Sequence, residues 1–225
     1  ADQATDTPTN NFCTMNPLNE QVWAYSEGNC QVANTASGWR FTHGTMGAST
    51  GKWYFEAEND AYGAGSYLGV VGTQDVSHGV DENFKTYPTG YGYKGGDGTK
   101  ANNAVGASYG DTWTSGDIIG CALDLTNGAI YWSKNGTWQN SATIEEIAAG
   151  TTTNAAYTSI PSGEGYIYVP AVAGKADAVV WKMNFGGCPT YTISSGNTDD
   201  NDYGNFEYPP PDGFLAYCSK NIGGS

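Results

Sequence analysis

The chain has 225 residues, enough for one all-β domain or two small ones. Its 23 acidic and 9 basic side chains give a net charge of −14, which argues against nucleic acid or an anionic membrane as a partner. Glycine is twice as common as usual, at 32 residues, without the Gly-X-Y period of collagen. With 16 Tyr and 7 Trp and few charges, this composition predicts short strands and tight turns rather than long surface helices.

Residues 1–11 are polar, rich in Thr, Asn and Pro, and are read as an arm or linker. They contain no apolar run, so neither a secretory leader nor a membrane span is expected. Alternation begins in earnest at KWYFEAE, Lys52–Glu58. Trp53, Phe55 and Ala57 share one face, and Tyr54, Glu56 and Glu58 the other. Residues 73–90 form an irregular connection holding His78, Phe84 and Tyr87, with Tyr91 and Tyr93 just beyond. GYGYKG, Gly90–Gly95, spells the dinucleotide fingerprint G-x-G-x-x-G. No helix or βαβ pattern accompanies it, so a Tyr-rich loop is expected.

Ile118–Leu125 alternates again, with Ile119, Cys121, Leu123 and Leu125 on one face. Asn127-Gly128 and Asn135-Gly136 are each read as two-residue hairpin turns, giving a three-strand meander over 118–140. Asn135-Gly136-Thr137 also spells a glycosylation acceptor, expected to be unmodified. Within the meander Trp132 is assigned to the core, and Trp138 to a strand end where a ring can meet a ligand. Thr143 and Glu146 match a capping box, with Gly150 as a stop, predicting one short surface helix. Val179–Phe185 alternates Val179, Trp181, Met183 and Phe185 against Lys182 and Asn184. Pro209, Pro210 and Pro211 predict a stiff extended segment. The sum is an all-β, antiparallel two-layer sandwich with at most one short helix.

The ordered pieces GKWYFEAE, YLGVVG, GYGYKGGDGTK, YGDTWTSGDIIGCALDLTNGAIYWSKNG, YVPAVAG and WKMNFG resemble a SPRY domain. The order Gly-Asp-Ile-Ile-Gly, Leu-Asp-Leu, Ser-Lys-Asn-Gly is the specific part. The resemblance implies a bent, concanavalin-like β-sandwich. It also implies a recognition module without chemistry of its own, binding through loops at one end. The organisation expected is an arm and first strands over 1–50, the sandwich over 51–187, and an acidic, proline-rich segment over 188–225 that packs on it or extends from it. The flanks, TDTPTNNFCTMNPL and NTDDNDYGNFEYPPPDGFLAYCSKN, resemble segments that frame SPRY domains in bacteriophage proteins, notably marine ones. That implies a virion surface protein, decorating a capsid or belonging to a tail fibre, with other virion proteins or further copies of itself as partners. A host-surface adhesin reading glycan or protein is the alternative.

Chemistry is weighed against plainer readings. Of two G-x-S-x-G matches, the one centred on Ser49 leads into a strand rather than the helix of a nucleophile elbow, and the one centred on Ser108 has no later histidine. Glu56, Glu58 and Asp60 line one strand face, as the paired carboxylates of a glycan hydrolase would. A solvated outer face with no basic neighbour is the expectation. Asp199, Asp200 and Asp202 form the densest acidic run, a weak Ca²⁺ candidate that lacks EF-hand spacing and is read as a hydrated loop. His43 and His78 stand far apart, without metal-ligand spacing. Cys13, Cys30, Cys121, Cys188 and Cys218 are odd in number and show no C-x-x-C, so buried, reduced thiols are expected. The expected reading is a non-enzymatic binding protein with no cofactor, whose candidate contacts are His78, Tyr87, Tyr91, Tyr93 and Trp138.

Overall fold

A computed structural model describes residues 6–19, 22–34, 36–63, 65–76, 81–175, 179–187 and 190–223. His78 and Cys188 lie outside the described residues. The strands are β1 (Trp23–Ser26), β2 (Gln31–Asn34), β3 (Trp39–His43), β4 (Lys52–Ala61), β5 (Tyr67–Gly72), β6 (Gly90–Lys94), β7 (Thr99–Asn102) and β8 (Val105–Ser108). They continue with β9 (Ile118–Asp124), β10 (Ala129–Lys134), β11 (Thr137–Trp138), β12 (Tyr168–Lys175), β13 (Val179–Asn184) and β14 (Leu215–Ala216). Two short helices are α1 (Ile144–Ala148) and α2 (Ser219–Ile222), one more than the sequence predicts.

Among the described residues one sheet runs β1-β2-β13-β4-β9-β10-β11, with β14 added in parallel beside β4. The other runs β3-β12-β5-β6-β7-β8. The main core lies between them. The inward faces predicted for β4, β9 and β13 bury Phe55, Ala57, Ile119, Cys121, Leu123, Trp181 and Met183, against Leu68, Val70 and Val172 of the other sheet. Trp132 is fully buried there, its ring 5.9 Å from Tyr93 and 5.7 Å from Tyr109. Rings in these tilted and edge-on arrangements add attraction beyond their buried area. The all-β two-layer sandwich read from alternation is the fold observed.

The hairpin tip at Asn135-Gly136 is a two-residue turn, with φ of +48° and +77°. Positive φ at both positions is what matches the turn to strand twist. The Asn135 side chain is committed to the fold: Nδ2 donates to Asp117 Oδ1 at 2.7 Å, and Oδ1 accepts from Ile118 N at 2.9 Å. Lys134 beside it is ion-paired with Asp117 at 3.4 Å. The Asn127-Gly128 connection differs from the expected two-residue turn. Asp124 pairs with Ala129, leaving a four-residue loop over 125–128. Asp124 holds that loop by accepting from Asn127 N and Nδ2 at 2.9 and 2.7 Å. The capping box is as predicted: Thr143 Oγ1 accepts from Glu146 N at 3.2 Å, and Thr143 N donates to Glu146 Oε2 at 3.1 Å.

GYGYKG is a strand, not a loop. Its alternation places Tyr91 and Tyr93 inward, and Gly92 leaves the opposite face bare. The Phe84 ring occupies that space: a Cβ on Gly92 would lie 2.4 Å from it. Cys13, Cys30, Cys121 and Cys218 are buried. Burial pushes the Cys13 thiol up to about 11. No described helix is long and apolar enough to cross a membrane.

The two ends of the chain meet. Phe12 bridges to Cys218, Cys13 N donates to Tyr217 O at 2.8 Å, and Ser219 N donates to Asn11 O at 2.8 Å. Residues 190–214 cross the outer face of the larger sheet as a strap, burying Phe206 and Phe214 against Tyr54 and Ala122.

Candidate functional site

The outer face of the larger sheet carries one cross-strand row. Trp138 of β11 pairs with Ser133, Ser133 with Gly120, Gly120 with Glu56, and Glu56 with Asn184. Facing residues of neighbouring antiparallel strands share a side of the sheet, so these residues form a line across five strands. Tyr54, two positions before Glu56, is on the same side.

Glu56 is the buried end of this row. It is fully enclosed, where the sequence predicts solvation, because the strap lies over it. Oε1 accepts from Glu207 N at 2.6 Å, Tyr191 hydroxyl at 2.9 Å and Asn184 Nδ2 at 3.1 Å. Oε2 accepts from Tyr54 hydroxyl at 3.2 Å and Tyr208 N at 3.3 Å. Burial pushes its pKa above the usual carboxylate range, and the donors pull partly against that. A basic neighbour is also present on this side of the sheet. Lys182 reaches Glu58 at 3.3 Å and Asp60 at 2.6 Å. With Glu56 sealed under the strap and Glu58 paired to Lys182, the two carboxylates do not face a common open cleft as glycan hydrolysis requires.

Trp138 is the open end. It is half-buried and separates two clefts. One, of about 620 Å³, runs along Tyr109, Gly110, Asp111 and Gln139. The other, of about 230 Å³, lies between Trp138, Tyr54, Tyr208, Pro209 and Ile144, with Ser133 at its floor.

The other candidate contacts are placed elsewhere. Tyr87 is 2% exposed, and its hydroxyl donates to Glu82. Tyr91 and Tyr93 are 8% and 0% exposed, and the Tyr93 hydroxyl donates to Asp111 O. Tyr91 and Tyr93 fill the sandwich because β6 turns them inward, and Tyr87 is buried beside Phe41 in a separate cluster on the outer face of the smaller sheet. Asp199 is a buried junction, not a hydrated loop residue. Its Oδ1 accepts from Asn201 N and Tyr203 N, both at 2.9 Å. Its Oδ2 accepts from Ala216 N at 2.8 Å and Asn221 Nδ2 at 2.7 Å. Asp200 accepts from Gly213 N at 2.6 Å, and Asp202 is exposed. Ser49 precedes strand β4 and Ser108 ends strand β8, so neither stands at a strand-to-helix elbow. Ser133, Gly120 and Tyr208 were not singled out from sequence. Alternation does place Ser133, with Tyr131, on the side opposite Trp132, but gives it no role.

A search of protein-family models matches the SPRY domain over residues 52–166, just over half of the chain. Ran-binding protein 9 of Danio rerio is 29% identical over 131 residues, covering 57% of this chain and 21% of that protein. The ATP-dependent RNA helicase DDX1 of Xenopus laevis is 29% identical over 191 residues, covering 85% of this chain and 20% of that protein. The chain thus spans about a fifth of the length of these curated relatives. The crystal structure of the SPRY domain of human HERC1 superposes with a TM-score of 0.56 at 17% identity, covering 79% of this chain and 99% of that one. The family model, the sandwich topology and the ordered motifs agree, and the chain belongs to the SPRY domain family.

Proposed function

We propose that this chain is a non-enzymatic recognition module that binds a protein partner across the Trp138 ridge. The observation that carries this reading is a half-buried tryptophan held between two clefts on a rigid sheet edge. Trp is the residue type most enriched among binding hot spots, since it offers a large rigid contact area at little entropic cost. Family membership supports a protein as the ligand class. The expected result is that peptides enriched on the immobilised chain from a displayed library lose at least about tenfold in affinity with Trp138→Ala. The variant is expected to keep a single cooperative melt, at a temperature lowered by the packing lost against Tyr54. Unchanged affinity would move recognition away from this ridge.

The finer setting proposed is a phage particle surface, where the module contacts other virion proteins or further copies of itself. It rests on the resemblance of the two flanking segments to those of phage proteins, while the matched relatives named above are vertebrate. Mass spectrometry of gradient-purified particles from the source culture is expected to find the chain at stoichiometric abundance. Its absence from particles would remove the setting and leave the recognition module standing.

A further inference from the structure

The smaller cleft beside Trp138 has a chemistry that the recognition reading leaves unused. Its lining includes the partly exposed rings of Trp138 and Tyr208, with exposed Pro209 beside them and the fully buried Tyr54 behind. The Trp138 and Tyr54 rings stand 6.4 Å apart at 63°, edge-on rather than stacked. Tyr208 is held against the turn: a Cβ on Gly136 would lie 2.5 Å from its ring.

The floor is polar. Ser133 is 1% exposed, and its hydroxyl has no hydrogen-bond partner. A buried hydroxyl without a partner costs free energy that a bound donor or acceptor would recover. Gly120 lets both hydroxyls pack against bare backbone: a Cβ there would lie 2.5 Å from Ser133 Oγ and 2.8 Å from the Tyr54 hydroxyl oxygen. Tyr54 already donates its proton to Glu56, so its oxygen is left as an acceptor. None of the seven residues lining the cleft is basic.

We propose that this cleft is a socket for a primary alkylammonium group, the end of an unmodified lysine side chain presented by the protein partner. Ring faces attract a cation through their quadrupoles. Two hydroxyl oxygens face the ammonium N–H groups, and Glu56 stands behind one of them. Over longer range the net charge of −14 draws a basic segment towards the surface. The proposal deepens the Trp138 reading, since that ring is shared by both clefts.

The test uses the full chain, ¹⁵N-labelled, at constant ionic strength. The Trp138 indole N–H resonance is followed during titration with n-butylammonium chloride, with 1-butanol as its neutral isostere. Butylammonium is expected to give a saturable shift and to bind at least about tenfold more tightly than butanol. Ser133→Ala is expected to weaken the amine several-fold and to leave the butanol response unchanged. The dispersed spectrum of Ser133→Ala reports an intact fold. Equal affinity for amine and alcohol would make the cleft merely apolar and overturn the proposal, as would a shift that does not saturate. Choline binding more tightly than butylammonium would point to a lipid headgroup and overturn the lysine assignment. If library peptides depend on Trp138 but the amine does not bind, recognition stands and the socket falls. If the amine binds but no peptide depends on Trp138, the ridge reading falls instead.

Discussion

Glu56→Ala is expected to lower the folding free energy by about 3–5 kcal/mol, more than one buried donor left without its acceptor would cost. The reason is the number of donors it leaves behind. Five groups converge on this carboxylate, and two of them are backbone N–H groups of the strap, at Glu207 and Tyr208. A buried donor without an acceptor costs about 1–3 kcal/mol, reduced where water enters or the chain relaxes. Glu56→Gln keeps the shape but turns an NH₂ group towards donors on one side, so it is expected to cost about 2 kcal/mol. The pH dependence has a definite sign. Burial raises the folded pKa of Glu56 above its unfolded value, so the stability it contributes is fully present below the unfolded pKa, near about 4.3. That contribution is lost as pH rises through the folded pKa. The deficit of the Gln variant is therefore largest in acid and shrinks towards neutral and alkaline pH. Denaturant melts between pH 4 and 8 measure this directly. A Glu56→Ala cost below about 1 kcal/mol, or a deficit that grows with pH, would contradict the strap anchor.

How much of this was legible in the sequence depends on the kind of information each residue carries. Period-2 alternation is local, and it placed Trp53, Phe55, Ile119, Cys121 and Trp181 inside correctly. Asn135-Gly136 gave its turn because positive φ at two successive residues has few chemical solutions. The same alternation was present in GYGYKG, but its glycines suggested a loop. Glycine there serves the outer face, where Phe84 needs a bare backbone to lie against. Glu56 shows the limit most clearly. Alternation put it on the outer face, which is right, and solvent was assumed to cover that face. Its covering comes from Glu207 and Tyr208, 151 and 152 positions away, and no local pattern in either segment encodes the meeting. The Trp138–Ser133–Gly120–Glu56 row was hidden for the same reason. Each residue's side of the sheet follows from its own strand, but their alignment depends on register between strands. Tyr87, Tyr91 and Tyr93 read as candidate contacts because rings on or beside a long connection offer rigid binding area. In this core their hydroxyls are served internally, as Tyr93 is by Asp111.

Asp199→Ala is the second large effect expected, about 2–4 kcal/mol, because four N–H donors lose one acceptor group at once. The residue ties three elements together. Asn201 and Tyr203 belong to the strap, Ala216 to β14 and Asn221 to α2. Asn221 also donates to Ala216 O at 2.9 Å, and Asn201 Nδ2 donates to Asn221 Oδ1 at 2.8 Å, so the junction is a closed network. Loosening it frees β14 from Trp53 and Tyr54, and with it Tyr217, whose ring sits 5.1 Å from Trp53. The N-terminal segment follows, since Cys13 N donates to Tyr217 O. Hydrogen exchange in the variant should therefore accelerate at the Cys13, Ala216 and Tyr217 amides, while the β9–β10 hairpin stays protected. The same geometry decides the calcium question. Each Asp199 oxygen is already occupied by two N–H donors, and Ca²⁺ would have to displace them to gain its usual six to eight oxygen ligands. Millimolar Ca²⁺ is therefore expected to leave the melting temperature of the wild-type chain unchanged. A rise would mean that the carboxylate trades its amide partners for the ion. In that case Asp199→Ala would lose the calcium response as well as the stability, whereas a purely structural junction loses stability alone.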